Sequence, residues 1–215
     1  MANIALVDDH ALLRNGLASL VKNLGHTVLI EAHNGKDFIS KLSTGLLPDL
    51  VLMDINMPEM DGYETTQWLK INHPQIMVMA LSMYDTEGAI LRMMKCGAKG
   101  YILKDSEPAE LKEALESLFT RGYYYSDLVN DKIVGVLNNM EGNSPEIKSL
   151  VQLSEKETEF LKYICTELPY KEIADKMHMS PRTIENYRDI LFERLNVRSR
   201  IGLAMFAVRN GLVNL

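Results

Sequence analysis

Leu50-Val51-Leu52-Met53-Asp54-Ile55-Asn56-Met57-Pro58-Glu59-Met60-Asp61-Gly62 is the stretch that decides the fold. Four apolar residues run straight into an aspartate, as a strand covered on both faces does when it reaches the edge of its sheet. Turn residues follow from Pro58 to Gly62. Asp61 and Glu64 then have the spacing of a capping box, which predicts that a helix starts there. Strand, polar loop and helix in that order form the repeating unit of a parallel sheet.

The unit recurs on either side. Apolar runs also occupy residues 4–7, 28–30, 76–81 and 101–103. Leu13, Leu17, Leu20 and Leu24 step at helical spacing and stop at Gly25. Residues 107–119 predict a last helix, with Ser106 as N-cap and Gly122 just past its end. The expectation is an α/β domain over residues 1–125: five parallel strands, doubly wound, with helices on both faces. Met53, Met57, Met60, Met77, Met79, Met83, Met93 and Met94 follow strands and helix faces, so core packing explains them better than metal binding. Tyr123-Tyr124-Tyr125 ends the last helix and is expected to pack between domains.

At 215 residues the chain holds about 1.4 domains of ~150 residues, hence one large domain or two modest ones. Hydrophobic residues make up 47% and charged residues 24%, which excludes a disordered or fibrous chain. No run of ~18 apolar residues exists to span a membrane. Asp8 and Asp9 fall where a signal peptide needs an apolar stretch. Cys96 and Cys165 stand in no metal-ligand spacing and read as reduced, small side chains, so a cytoplasmic location is expected. Residues 1–125 hold 11 Lys and Arg against 16 Asp and Glu, and residues 149–215 hold 10 against 9. The first part is acidic and the second near neutral.

Parallel sheets place chemistry where strands end at their carboxyl edge. Four such ends carry polar residues: Asp8-Asp9, Asp54, Ser82 and Lys104. Three converging carboxylates repel one another unless a divalent cation relieves them, and hard oxygen ligands point to Mg2+ rather than zinc. His10 adjoins this set but reads as a helix-start residue. A lysine and a hydroxyl beside one carboxylate would cradle a phosphoryl group. An Asp-x-Asp phosphatase is disfavoured, because Asn56 cannot act as a general acid. An FMN site is disfavoured too, since Asp8 and Asp9 would repel its phosphate.

Val7-Asp8-Asp9, Met53-Asp54-Ile55-Asn56-Met57-Pro58, Leu81-Ser82 and Gly100-Tyr101-Ile102-Leu103-Lys104 together resemble the receiver domain of two-component response regulators, a flavodoxin-like fold. The resemblance implies that Asp54 takes a phosphoryl group from a phosphohistidine on a sensor histidine kinase. It implies Mg2+ held by Asp8, Asp9, Asp54 and the backbone carbonyl of Asn56. Ser82 then bonds the phosphoryl group, Lys104 pairs with it, and Tyr101 is the aromatic that turns inward as the hydroxyl moves. Asn56 and Tyr84 stand where this family tunes water access to the acyl phosphate. No enzymatic activity beyond the receiver's own phosphoryl transfer and dephosphorylation is implied.

Residues 126–148 read as a helical linker, broken at residues 141–145. Beyond it every segment has helical period. Ser154 and Glu157 form a capping box, Pro169 separates two helices, Ser180-Pro181 opens a third, and Ser199 caps a fourth ending near Gly211. Ile173, Ala174 and Met177 are expected to pack on Ile184, Leu191 and Leu195 across the short connection His178-Met179-Ser180. Residues 149–215 resemble the all-α, four-helix LuxR-type helix-turn-helix domain, and the whole chain a NarL/FixJ-type regulator. The resemblance implies double-stranded DNA as partner and a homodimer on phosphorylation. Its base-reading positions fall on Glu185, Asn186 and Asp189, and phosphate anchoring on Lys171, Arg182, Thr183, Arg188, Arg198 and Arg200. Two carboxylates on a DNA-reading face depart from the family pattern. A rival reading is therefore a phospho-switched protein-interaction module or phosphate sink.

Overall fold

The structure is a computed structural model and describes residues 1–42, 45–83, 85–127, 129–130, 153–210 and 212–213. Tyr84, the linker beyond Asn130 and its break at residues 141–145 lie outside the described residues. Most of the chain up to Asp131 forms one compact unit, and the chain from Lys132 forms most of a second.

The first unit alternates β1 (Asn3–Val7), α1 (Ala11–Asn23), β2 (Thr27–Ala32), α2 (Gly35–Leu42), β3 (Leu50–Asp54), α3 (Gly62–Asn72), β4 (Met77–Ser82), α4 (Glu87–Cys96), β5 (Gly100–Leu103), α5 (Pro108–Arg121) and β6 (Tyr124–Tyr125). Every strand pair is parallel, in the order β2-β1-β3-β4-β5-β6. Successive side chains on a strand face opposite sides of the sheet. Ile4, Leu6, Leu50 and Leu52 accordingly pack with α1 and α5, while Ala5, Val7, Val51 and Met53 pack with α2 and α3. Two apolar layers clamp the strands, so their polar ends can meet only at the carboxyl edge.

Three expectations need correction. The sheet has six strands, not five, because Tyr124 and Tyr125 pair with Gly100 and Tyr101 rather than ending a helix. A two-residue strand is too short to show alternation. Ser106 does not cap α5: Glu107 takes the N-cap position with Pro108 in the first turn, and Gly122 closes the helix at φ 83°. Met83 is 70% exposed and is not a core residue, although Met53 and Met79 are fully buried.

The second unit contains α6 (Glu155–Ile164), α7 (Tyr170–Lys176), α8 (Pro181–Arg194) and α9 (Arg200–Arg209). The side chains of Ser154, Ser180 and Ser199 accept the backbone N–H three residues on, capping α6, α8 and α9. Ile173, Ala174 and Met177 of α7 share one core with Ile184, Leu191 and Leu195, joined by Phe160, Leu161, Leu203 and Ala207.

Candidate functional site

The first site forms where β1, β3, β4 and β5 end. Asp61 accepts the Glu64 N–H while Glu64 reaches back to the Asp61 N–H, which starts α3 directly beneath the loop after Asp54. Gly62 is forced by that closeness. Its N–H bonds the Ile55 carbonyl at 2.8 Å, and a Cβ at this position would collide with the Asp54 carbonyl oxygen. The short loop fixes the direction of the Asp54 side chain.

Lys104 Nζ stands 2.9 Å from Asp54 Oδ2 and 2.9 Å from Asp8 Oδ2, and all three side chains are buried. One ammonium therefore faces two carboxylates, with Asp9 beside them. Burial pushes the Asp54 carboxyl up to about 6; Lys104 pulls it down and Asp8 adds to the rise. Burial works against the charge on Lys104, yet Asp54 and Asp8 outweigh it and hold the ammonium above the ordinary lysine range. Asn56 N–H adds a long 3.3 Å bond to Asp54 Oδ1. Ligand atoms of Asp8, Asp9, His10 and Asp54 all lie within 4.8 Å of one another. This cluster, with negative charge in excess and oxygen donors converging, can hold a metal ion.

Ser82 is buried at the end of β4 and hydrogen-bonds the hydroxyl of Tyr101, which is fully buried on β5. Burial raises its phenol above the ordinary range.

The second site is the outer face of α8. Glu185, Asn186 and Asp189 are exposed along it, flanked by exposed Arg182 and Thr183, with Lys171 on α7 and Arg198 beyond the helix also exposed. Ser180 Oγ, the cap of α8, lies 2.8 Å from Thr183 Oγ1. Arg188 is half-buried, 5.5 Å from the Tyr170 ring centre, and paired with Asp189.

Family models match both units. Residues 4–116 match the response regulator receiver domain, and residues 151–207 match bacterial regulatory proteins of the luxR family. The chain belongs to the response regulators. Response regulator GacA of Pseudomonas viridiflava is 31% identical over all of this chain and 99% of its own length. Response regulator UvrY of Escherichia coli (strain K12) is 30% identical over all of this chain and 97% of its own. RcsB from Salmonella enterica serovar Typhimurium, solved bound to promoter rprA in the presence of phosphomimetic BeF3-, shares the fold with TM-score 0.71. That match is 22% identical and covers 95% of this chain and 97% of the other.

In this response regulator the pocket residues expected from sequence converge, whereas the expected DNA contacts divide. Arg200 is held inside its own unit. Its Nε donates to the Ile164 carbonyl at 3.1 Å, its Nη2 to the Thr166 carbonyl at 2.6 Å, and its guanidinium lies 5.4 Å from the Tyr170 ring centre. It closes the end of α6 rather than reaching outward. One pocket neighbour, Arg14, is absent from the sequence reading, and His10, which adjoins the set there, has no role in it. Arg14 Nη1 donates to the Asp8 carbonyl at 2.6 Å, and His10 turns its ring onto Asp9. The position of Arg14 one turn into α1 carries no motif. His10 occupies the helix-start position the sequence indicates, but its ring faces the carboxylates.

Among the described residues no helix is long and apolar enough to cross a membrane.

Proposed function

We propose that this response regulator is a cytoplasmic transcription regulator whose binding to double-stranded DNA is switched by phosphorylation of Asp54. The observation that carries the reading is the triangle Asp54–Lys104–Asp8 at the sheet edge, with Ser82 and Tyr101 bonded beside it. Residues 1–125 act as receiver, 126–148 as linker and 149–215 as DNA-binding domain. Asp54 is mostly ionised at neutral pH, so one of its oxygens can attack the phosphorus of a phosphohistidine on a sensor histidine kinase. The P–N bond breaks as the O–P bond forms, and the departing imidazole nitrogen keeps the electron pair and takes a proton. Lys104 and Ser82 meet the phosphoryl oxygens. Mg2+ held by Asp8, Asp9, Asp54 and the Asn56 carbonyl would neutralise charge on the phosphoryl group. The chain performs no catalysis beyond its own phosphoryl transfer and hydrolysis. Phosphorylation favours a homodimer, and the dimer presents Arg182, Asn186 and Arg198 of both copies to DNA.

The test is labelling by acetyl phosphate with Mg2+, followed by selection of genomic fragments with and without a phosphate mimic. Asp54→Ala should abolish the label, while Asp49→Ala, at the exposed opposite end of β3, should keep it. A label that survives in Asp54→Ala overturns the phosphoacceptor. If no DNA is selected at low salt and a protein partner is captured, the acidic face Glu185–Asp189 marks an interaction module instead.

A further inference from the structure

His10 is the N-cap of α1, yet its side chain makes no capping hydrogen bond with that helix. The ring turns back over the acidic cluster. Its Nδ1 lies 2.8 Å from Asp9 Oδ1 and 3.5 Å from Asp8 Oδ1. Asp8 is held in place for this meeting, because Oδ1 accepts the His10 backbone N–H at 2.8 Å and Oδ2 faces Lys104. Neighbouring ligands on an octahedral ion with ~2.1 Å bonds stand about 3 Å apart. The two separations from Nδ1 straddle that spacing, and both carboxylate oxygens belong to residues of the acidic pocket.

We infer that His10 Nδ1 is a ligand of the divalent cation in this pocket and sets its metal preference; this rests on the acidic cluster being a cation site. Imidazole nitrogen is a good donor for first-row transition ions and a poor one for Mg2+, which keeps oxygen ligands and water. A carboxylate set completed by His10 therefore discriminates in favour of Mn2+ more than an all-oxygen pocket does. The side chain is 71% exposed, so the ring can move onto an incoming ion without disturbing the core.

The experiment loads the full chain with Mn2+ and records electron spin-echo envelope modulation, in which a coordinated imidazole nitrogen leaves its own signature. Nitrogen modulation is expected in the parent and absent in His10→Ala. The ratio of Mn2+ to Mg2+ affinity should fall about tenfold in His10→Ala, a loss typical of a weakened ligand set. His10→Asp, which offers oxygen from the same position, should bind Mn2+ with no nitrogen signal. Mn2+ bound to the parent without nitrogen modulation, or modulation persisting in His10→Ala, overturns the role of His10 and leaves the carboxylate pocket standing. Failure of Mn2+ and Mg2+ alike to bind the parent overturns the cation site, and His10 with it.

Discussion

Asp189 holds both Nε and Nη2 of Arg188 on a single carboxylate oxygen, each at 2.8 Å. The outer face of α8 thus carries an arginine whose charge is already answered by its neighbour. Such a surface pair adds little to stability, within about 0.5 kcal/mol. Its effect lies in binding. Asp189→Asn releases a cation and removes an anion from the face proposed to meet DNA. Affinity should rise, and the slope of log K against log salt should steepen by roughly one. Electrophoretic shifts across a salt series check this, and an unchanged slope would place Arg188 away from phosphate.

Lys104 is the counter-charge for a buried pair of carboxylates. Replacing it with Ala leaves Asp8 and Asp54 facing one another, at a cost of about 3–5 kcal/mol. A bound cation supplies the missing charge, so added Mg2+ should raise the melting temperature of Lys104→Ala more than that of the parent. Equal responses in the two proteins would mean that the cation does not sit among these carboxylates.

Gly62 is a steric requirement of the loop that follows Asp54. Gly62→Ala places a methyl against the Asp54 carbonyl and should cost about 1–3 kcal/mol as the loop shifts. The informative readout is labelling by acetyl phosphate, which should slow even at temperatures where the variant is fully folded.

Glu157 closes the capping box of α6 and reaches Arg194 of α8 at 2.9 Å. Burial works against its charge, but the Ser154 N–H and Arg194 prevail and hold the carboxyl below the ordinary glutamate range. The unfolded chain therefore takes up this proton first as pH falls. The stabilisation is complete above the unfolded value of about 4.3 and drains away as pH drops through the folded one. Glu157→Gln should be less stable than the parent by about 1–2 kcal/mol from pH 8 to 5, with the gap narrowing below pH 4. Denaturant unfolding across that range measures it.

Arg200 ties α9 to the carbonyls that end α6. Charge-assisted bonds of this kind contribute about 1.5–3 kcal/mol. Arg200→Lys cannot reproduce the fork, so α6 amides should exchange hydrogen faster by roughly 30-fold for a loss of about 2 kcal/mol. Loss of DNA binding without faster exchange would return Arg200 to the phosphate-contacting set.

The sequence made the parallel sheet and its pocket legible because strand ends collect polar residues at one edge. Asp8, Asp9, Asp54, Ser82 and Lys104 each follow an apolar run, and the fold has one place to gather them. The helical domain was legible through its caps, since Ser154, Ser180 and Ser199 each bond the N–H three residues on. Side-chain partners chosen in three dimensions were not legible. Arg200 looks like any exposed arginine until its fork meets the Ile164 and Thr166 carbonyls, 36 and 34 residues earlier. His10 was read by its helix position, and only the folded turn shows the ring facing back.

Strand β6 makes the departing chain part of the sheet. Tyr101 and Tyr125 are register partners, so the backbone that leaves toward residue 126 is laced to the backbone of the aromatic that bonds Ser82. A load path follows from this. A displacement of the Tyr101 backbone would therefore be shared by Tyr125, the last residue of the sheet before residue 126.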